Sequence, residues 1–145
     1  MAETEKQVPT FEEFVEASRN ALAFLSDYGF KERAIPKSRD SEKFQVWFQA
    51  EDRFVVVKGE GWGEMATIDL EHSSGVHISE IYLVPVNARP KYQGSRKRKR
   101  SSQLEQIREA AERIRLYGMD FVGGQLERYF QLAKPLPPYL DRVEK

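Results

Sequence analysis

Three groups of residues in this 145-residue chain are of types that do chemistry. The first is the basic run Arg96, Lys97, Arg98, Lys99 and Arg100. It lies in a segment, Arg89 to Arg100, that holds seven basic residues and no acid. Guanidinium and ammonium groups at this density neutralise nucleic-acid phosphates or an acidic protein surface. A helix start just beyond the run adds backbone N–H donors that favour anions. The second group is the carboxylate pair Asp69 and Glu80, set among the aromatics Trp47, Trp62 and Tyr82. Acids beside exposed aromatics suit the docking of a basic partner, and two facing carboxyls are also the parts of general acid–base work. The third is the imidazole pair His72 and His77, which flanks the turn Ser73-Ser74-Gly75. Two imidazoles across a hairpin can share a metal, but the next neighbours on that face are Leu70 and Ser79. No third ligand follows, and no metal site is assigned.

Other chemistries are excluded by what is missing. The chain has no cysteine, so disulfides, thiolate-held zinc, iron–sulfur clusters and thiol nucleophiles drop out together. The glycines of Gly59-Glu60-Gly61-Trp62-Gly63-Glu64 lack the Lys-Ser/Thr and helix start of a phosphate-binding loop. There is no nucleophile elbow and no HExxH. No catalytic residue and no cofactor is therefore assigned.

These groups need elements to hold them. Thr10 and Glu13 form a capping box, and Phe11, Phe14, Val15, Ala21, Leu22 and Leu25 follow at helical spacing, so a helix is expected over Phe11–Tyr28, stopped by Gly29. A short strand is expected from Phe30 to Ile35. Phe44, Val46 and Phe48 then alternate with polar or indole side chains. Further strands are read at Phe54–Val57, Met65–Glu71 and Val76–Val84. Tight turns would pair Phe48 with Val55, Val46 with Val57, Val57 with Ile68, Val55 with Leu70, Ile68 with Ile81 and Ala66 with Leu83. That single set of registers puts all these apolar side chains on one face. It puts Trp47, Val56, Lys58, Thr67, Asp69, Ile78, Glu80 and Tyr82 on the other, with Asp69 directly opposite Glu80. Ser102 and Glu105 repeat the capping box ahead of a second helix bearing Leu104, Ile107, Ala111 and Ile114. A third helix is expected between Asp120 and Leu132, weakened by Gly123-Gly124 and ended by Pro135.

The expected architecture is α+β: an antiparallel meander of four to five strands, with an N-terminal helix and two C-terminal helices on one face. A chain of this length is one domain, 1–145. Residues 1–9 and 139–145 are read as loose tails and 86–101 as a basic loop. The opening MAETEKQVP has no apolar core of the secretory kind, and no apolar run approaches the roughly 20 residues of a membrane span. A cytoplasmic protein is the expectation, with no membrane partner.

Overall charge sharpens the reading. The chain holds 23 basic and 23 acidic residues; with the seven bases of Arg89–Arg100 set aside, 16 bases face 23 acids, a charge of −7. An acidic body with one basic loop points to charged partners. The layout of Tyr28-Gly29-Phe30 after a first helix, a meander, and a helix ending in Tyr117-Gly118-Met119-Asp120-Phe121 resembles small uncharacterised bacterial α+β proteins and bacterial immunity proteins. That resemblance implies an inhibitor that binds a toxin and has no chemistry of its own. The leading expectation is therefore a non-catalytic module that binds a basic protein through Trp47, Trp62, Asp69, Glu80 and Tyr82. The first alternative is a nucleic-acid-associated protein using Arg96, Lys97, Arg98, Lys99 and Arg100. The second is a small enzyme or ligand-binding domain on the open sheet face.

Overall fold

The structure is a computed structural model that describes residues 9–34, 44–60, 65–89 and 102–135. Trp62 and the Arg96–Arg100 run lie outside the described residues, as do most of the two expected tails.

Both helix starts form as their capping boxes require. Thr10 caps α1 (Phe11–Ala21), and Ser102 caps α2 (Gln103–Tyr117); each hydroxyl accepts from the N–H of the glutamate three residues on, whose carboxylate answers the cap N–H. The expected single helix to Tyr28 instead tightens after Ala21 into a 3-10 helix, Ala23–Tyr28. Gly29 ends it in the left-handed conformation (φ 88°), which costs a residue without a Cβ nothing. The expected third helix splits at Gly123-Gly124 into α3 (Met119–Val122) and α4 (Glu127–Leu132).

Among the described residues, six antiparallel strands run in chain order: β1 (Lys31–Arg33), β2 (Phe44–Ala50), β3 (Arg53–Glu60), β4 (Met65–His72), β5 (Val76–Ser79) and β6 (Lys134–Pro135). The fold is thus α+β, with more strands than expected because Lys134 and Pro135 return to pair with β5. The β2–β3–β4 registers are those the hydrophobic pattern demands: Phe48 faces Val55, Val46 faces Val57, Val57 faces Ile68, and Val55 faces Leu70.

The β4–β5 register is one residue off the expected one. His72 pairs with Val76 and Asp69 with Ser79, so the turn holds three residues, Ser73 to Gly75. Gly75, at φ 100°, supplies the left-handed position that three-residue hairpins need. A one-residue slip exchanges the faces of a strand. Ile78 therefore joins the core instead of the reverse face. The strand also stops at Ser79, and Glu80–Leu83 coil into a 3-10 turn. Neither Ile81 nor Leu83 takes its expected place in a ladder; Leu83 reaches the core from this turn.

Helix α1, α2 and the short C-terminal helices cover the core face, bringing Phe14, Ile107, Ile114, Phe121 and Tyr129 onto Val46, Phe48, Val55, Val57, Ile68 and Leu70. Tyr129 is wholly buried and donates its hydroxyl to the carbonyls of Leu70 and Val76 (2.9 and 3.1 Å), tying α4 to both strands. Desolvation holds its phenol far above the ordinary value, with Glu71 and Asp69 adding to the effect.

Candidate functional site

The reverse sheet face was expected to be open. It is closed. Trp47 is 3% exposed, Asp69 7% and Glu80 2%, while Val56 between them is fully buried. These three site residues are corrected from surface to interior. The Trp47 indole N–H donates to Gln45 Oε1 at 2.6 Å, and its ring meets Phe54 edge-on at 5.7 Å. The Arg33 guanidinium lies 5.8 Å from the Trp47 ring centroid and 5.5 Å from that of Phe54. Tyr82 alone of the described set is a surface residue, at 54% exposure; Arg89 stacks on it at 5.1 Å.

The acids are neutralised from within. Lys58 Nζ sits 2.9 Å from Asp69 Oδ2, with His77 Nδ1 at 3.4 Å from the same oxygen. Burial opposes ionisation of Asp69, yet His77 and Lys58 together hold its carboxyl below the usual range. Glu80 takes a two-pronged hydrogen bond from Arg113, Nε to Oε1 at 2.7 Å and Nη2 to Oε2 at 3.0 Å. Burial nevertheless raises its carboxyl above the usual range; Arg113 counters this, and Asp69 adds a smaller push upward. Asp69 and Glu80 are not ladder partners, since Ser79 takes that place. An acid–base dyad built on them would be an ion-paired interior, not an open site.

The histidines part as well. His77 pairs with Glu71, and His72 with Val76; successive strand residues point to opposite faces, so the imidazoles do not converge. Among the described residues, no group of three or more His, Asp or Glu is placed to hold a metal.

The structure does assemble a constellation that sequence order conceals. His72 Nδ1 lies 2.9 Å from Ser74 Oγ, and His72 Nε2 lies 3.1 Å from Asp52 Oδ2. Serine, histidine and aspartate in line are the parts of a nucleophilic relay. A relay also needs N–H groups aimed at the developing oxyanion. Here the turn amides are committed: Ser73 N–H to Asp52 O, Ser74 N–H to His72 Nδ1, and Gly75 N–H to His72 O. The three residues staple the β2–β3 turn to the β4–β5 turn, and Phe130 closes on the imidazole edge-on at 4.9 Å.

The described residues also form a concave feature. A cavity of about 480 Å³ opens between α1 and the β1–β2 edge, within the range of ligand pockets. Phe11 and Val15 come from α1 and Val46 from β2, giving it apolar walls. Glu12 and Glu16 line the same flank of α1, one helical turn apart. Its two arginines are occupied. Arg19 holds Glu32 by a two-pronged ion pair (2.8 and 3.2 Å). Arg33 donates to Gln49 Oε1 at 2.6 Å while it stacks on the rings. Glu12 and Glu16 are exposed and have no ion-pair partner among the described residues. Sequence reasoning missed this flank because Glu12 reads as an ordinary first-turn acid and Glu16 as solvated helix surface. Their availability appears only once Arg19, whose charge also reaches Glu16, is seen to be bound to Glu32.

Among the described residues, no helix is long and apolar enough to cross a membrane. Compared with known proteins, the chain matches no family model, no curated protein and no solved structure.

Proposed function

We propose that the protein is a non-catalytic protein-binding module of the immunity or inhibitor kind, and that it meets a basic partner on the flank of α1. The observation that carries this reading is the pair Glu12 and Glu16, exposed and without a salt bridge among the described residues, beside the half-exposed ring of Phe11. Acids with internal partners cannot recruit a cation without breaking an existing bond. Glu13 is spent on the cap, Glu32 on Arg19, Asp69 on Lys58 and Glu80 on Arg113. Among the described residues Glu12 and Glu16 make no such bond, and Glu16 feels only the charge of Arg19, which is itself held by Glu32. Unpaired charge next to an aromatic anchor steers a partner of opposite sign and then holds it. The contact is thus moved from Trp47, Asp69 and Glu80 to α1, while the class of partner stays as the charge of the body suggests.

The test is binding to a panel of purified basic toxin domains, nucleases among them, by surface plasmon resonance at about 0.15 M salt. At least one panel member is expected to bind. The double variant Glu12→Lys/Glu16→Lys is expected to weaken that complex by 100-fold or more, on the scale of about 1.4 kcal/mol per tenfold. Both positions are exposed and neither takes part in the Thr10–Glu13 capping box, so the variant is expected to fold with the loss of one favourable first-turn acid, which circular dichroism checks. Loss of no affinity on charge reversal, or no binding to any member, removes the reading.

A further inference from the structure

We infer that the protein carries a second contact surface, at Tyr82 and Arg89, which takes single-stranded nucleic acid: a base on the Tyr82 ring and a phosphate on the Arg89 guanidinium.

Tyr82 lies in the 3-10 turn Glu80–Leu83 that follows β5, and Arg89 comes directly after a second such turn, Val86–Ala88. In the sheet order β5 stands three strands from β2, so this surface is separate from the flank of α1.

The arginine is held in place by the chain around it. Arg89 Nε donates to the Val84 carbonyl at 2.9 Å, and its guanidinium lies over the Tyr82 ring, 5.1 Å from the centroid. Its backbone N–H donates to Val86 O at 3.3 Å. Of the five N–H donors of a guanidinium, these contacts use one. Arg19, Arg113 and Arg128 each hold a carboxylate, but among the described residues Arg89 has no salt bridge. A guanidinium already oriented loses little freedom when it takes a phosphate.

The ring beside it is available. Tyr82 is 54% exposed with the guanidinium over it, and Val86 in the neighbouring turn is 74% exposed. An exposed aromatic stacks on any base, because every base has a π-face, and arginine adds a cation–π contribution.

Charge then selects the partner. From Ile81 to Leu104 the sequence holds seven basic residues and no acid. The acid before this stretch, Glu80, is buried on Arg113. The acid after it, Glu105, is spent on the cap of Ser102. A chain of repeating phosphates is drawn to such a stretch. An acidic protein segment is drawn by the same charge but brings no base to the Tyr82 ring. In a duplex the faces of the bases are already stacked on one another, so the strand that fits is single. Neither contact needs a ribose hydroxyl, so RNA and DNA both qualify.

The experiment uses the full-length protein and labelled dodecamers of oligouridine and oligothymidine, read by fluorescence anisotropy at about 0.1 M salt. Both are expected to bind, at least tenfold more tightly than a duplex of the same length or a polyglutamate of equal charge. Tyr82→Ala is expected to weaken binding about tenfold, and Tyr82→Phe, which keeps the ring, to leave it unchanged. Arg89→Gln is expected to weaken it and to lower the slope of log affinity against log salt by about 1. Tyr82 is exposed, so its variants keep the fold, which circular dichroism checks. Upfield shifts of the Tyr82 ring protons on adding oligouridine locate the stacked base. Equal affinity for the duplex, or no binding of either dodecamer, overturns the inference. Polyglutamate bound as tightly as the single strands marks an acidic-protein site and overturns it too. So does binding that ignores Tyr82→Ala and Arg89→Gln but is lost on changing Arg96, Arg98 and Arg100 to alanine, since bare charge then accounts for all of it.

Discussion

At the scale of single residues, the interior acids set how stability responds to pH. Glu80 binds its proton more tightly in the folded protein than in the unfolded chain. Its contribution is therefore fully present below the ordinary carboxylate range and is lost as pH rises through the raised value. Asp69 has the opposite sense: its contribution is present above that range and is lost as pH falls through its lowered value. Arg113 is the group that restrains Glu80, so Arg113→Met should push the carboxyl higher still. The variant is expected to be less stable by about 3 kcal/mol at pH 7, since removing one partner strands a buried charge. The deficit should shrink toward about pH 4, where glutamate takes up its proton. Urea unfolding at both values checks this; a deficit that ignores pH would show that Glu80 is not the group left exposed to the change. Half of this pairing was legible beforehand: the expected registers set Lys58 on the same face as Asp69, and the two meet. The other half was not, because Arg113 stands 33 residues from Glu80 in sequence on a different element.

At the scale of elements, local signals were reliable where they stood alone. The two capping boxes placed both major helices, and the alternation of Phe44, Val46 and Phe48 against Val55 and Val57, and of these against Ile68 and Leu70, fixed three strands in register. The reading failed at β5, where the choice rested on turn length. Ser73-Ser74-Gly75 closes as a three-residue loop, and the later run Glu80–Leu83 has enough apolar residues to mimic a strand while coiling instead. That error carried Glu80 and Tyr82 onto a face they do not share. Close approach between elements was likewise unreadable, and Gly59 is the clearest case. A Cβ there would come within 2.7 Å of Phe14 Cε1 and 2.8 Å of Gln103 Nε2. Gly59 is the point where α1 and the start of α2 both close on β3. Gly59→Ala is expected to cost about 1–3 kcal/mol by overpacking, measured as a lower urea midpoint with unchanged slope. A neutral outcome would mean that α1 is not seated on the sheet as described.

At the scale of the whole molecule, stability is graded across one sheet. Val55, Val56 and Val57 are all fully buried, so β3 is sealed on both faces as well as flanked by a strand on each side. The edges are slight: β1 spans three exposed residues and β6 two. Amide exchange by mass spectrometry or NMR should follow that gradient. Central amides of β3 and β4 are expected to exchange only with global unfolding, and those of β1 and β6 through local opening. β2 should divide within itself. Trp47 to Gln49 lie between two strands, whereas among the described residues the half from Phe44 to Val46 pairs with β3 alone. Amides in that half that point away from β3 should therefore exchange like an edge in the free protein. Uniform protection along β2 in the free protein would show instead that this half is covered on its outer side by residues between β1 and β2, and that the sheet is graded only at β1 and β6.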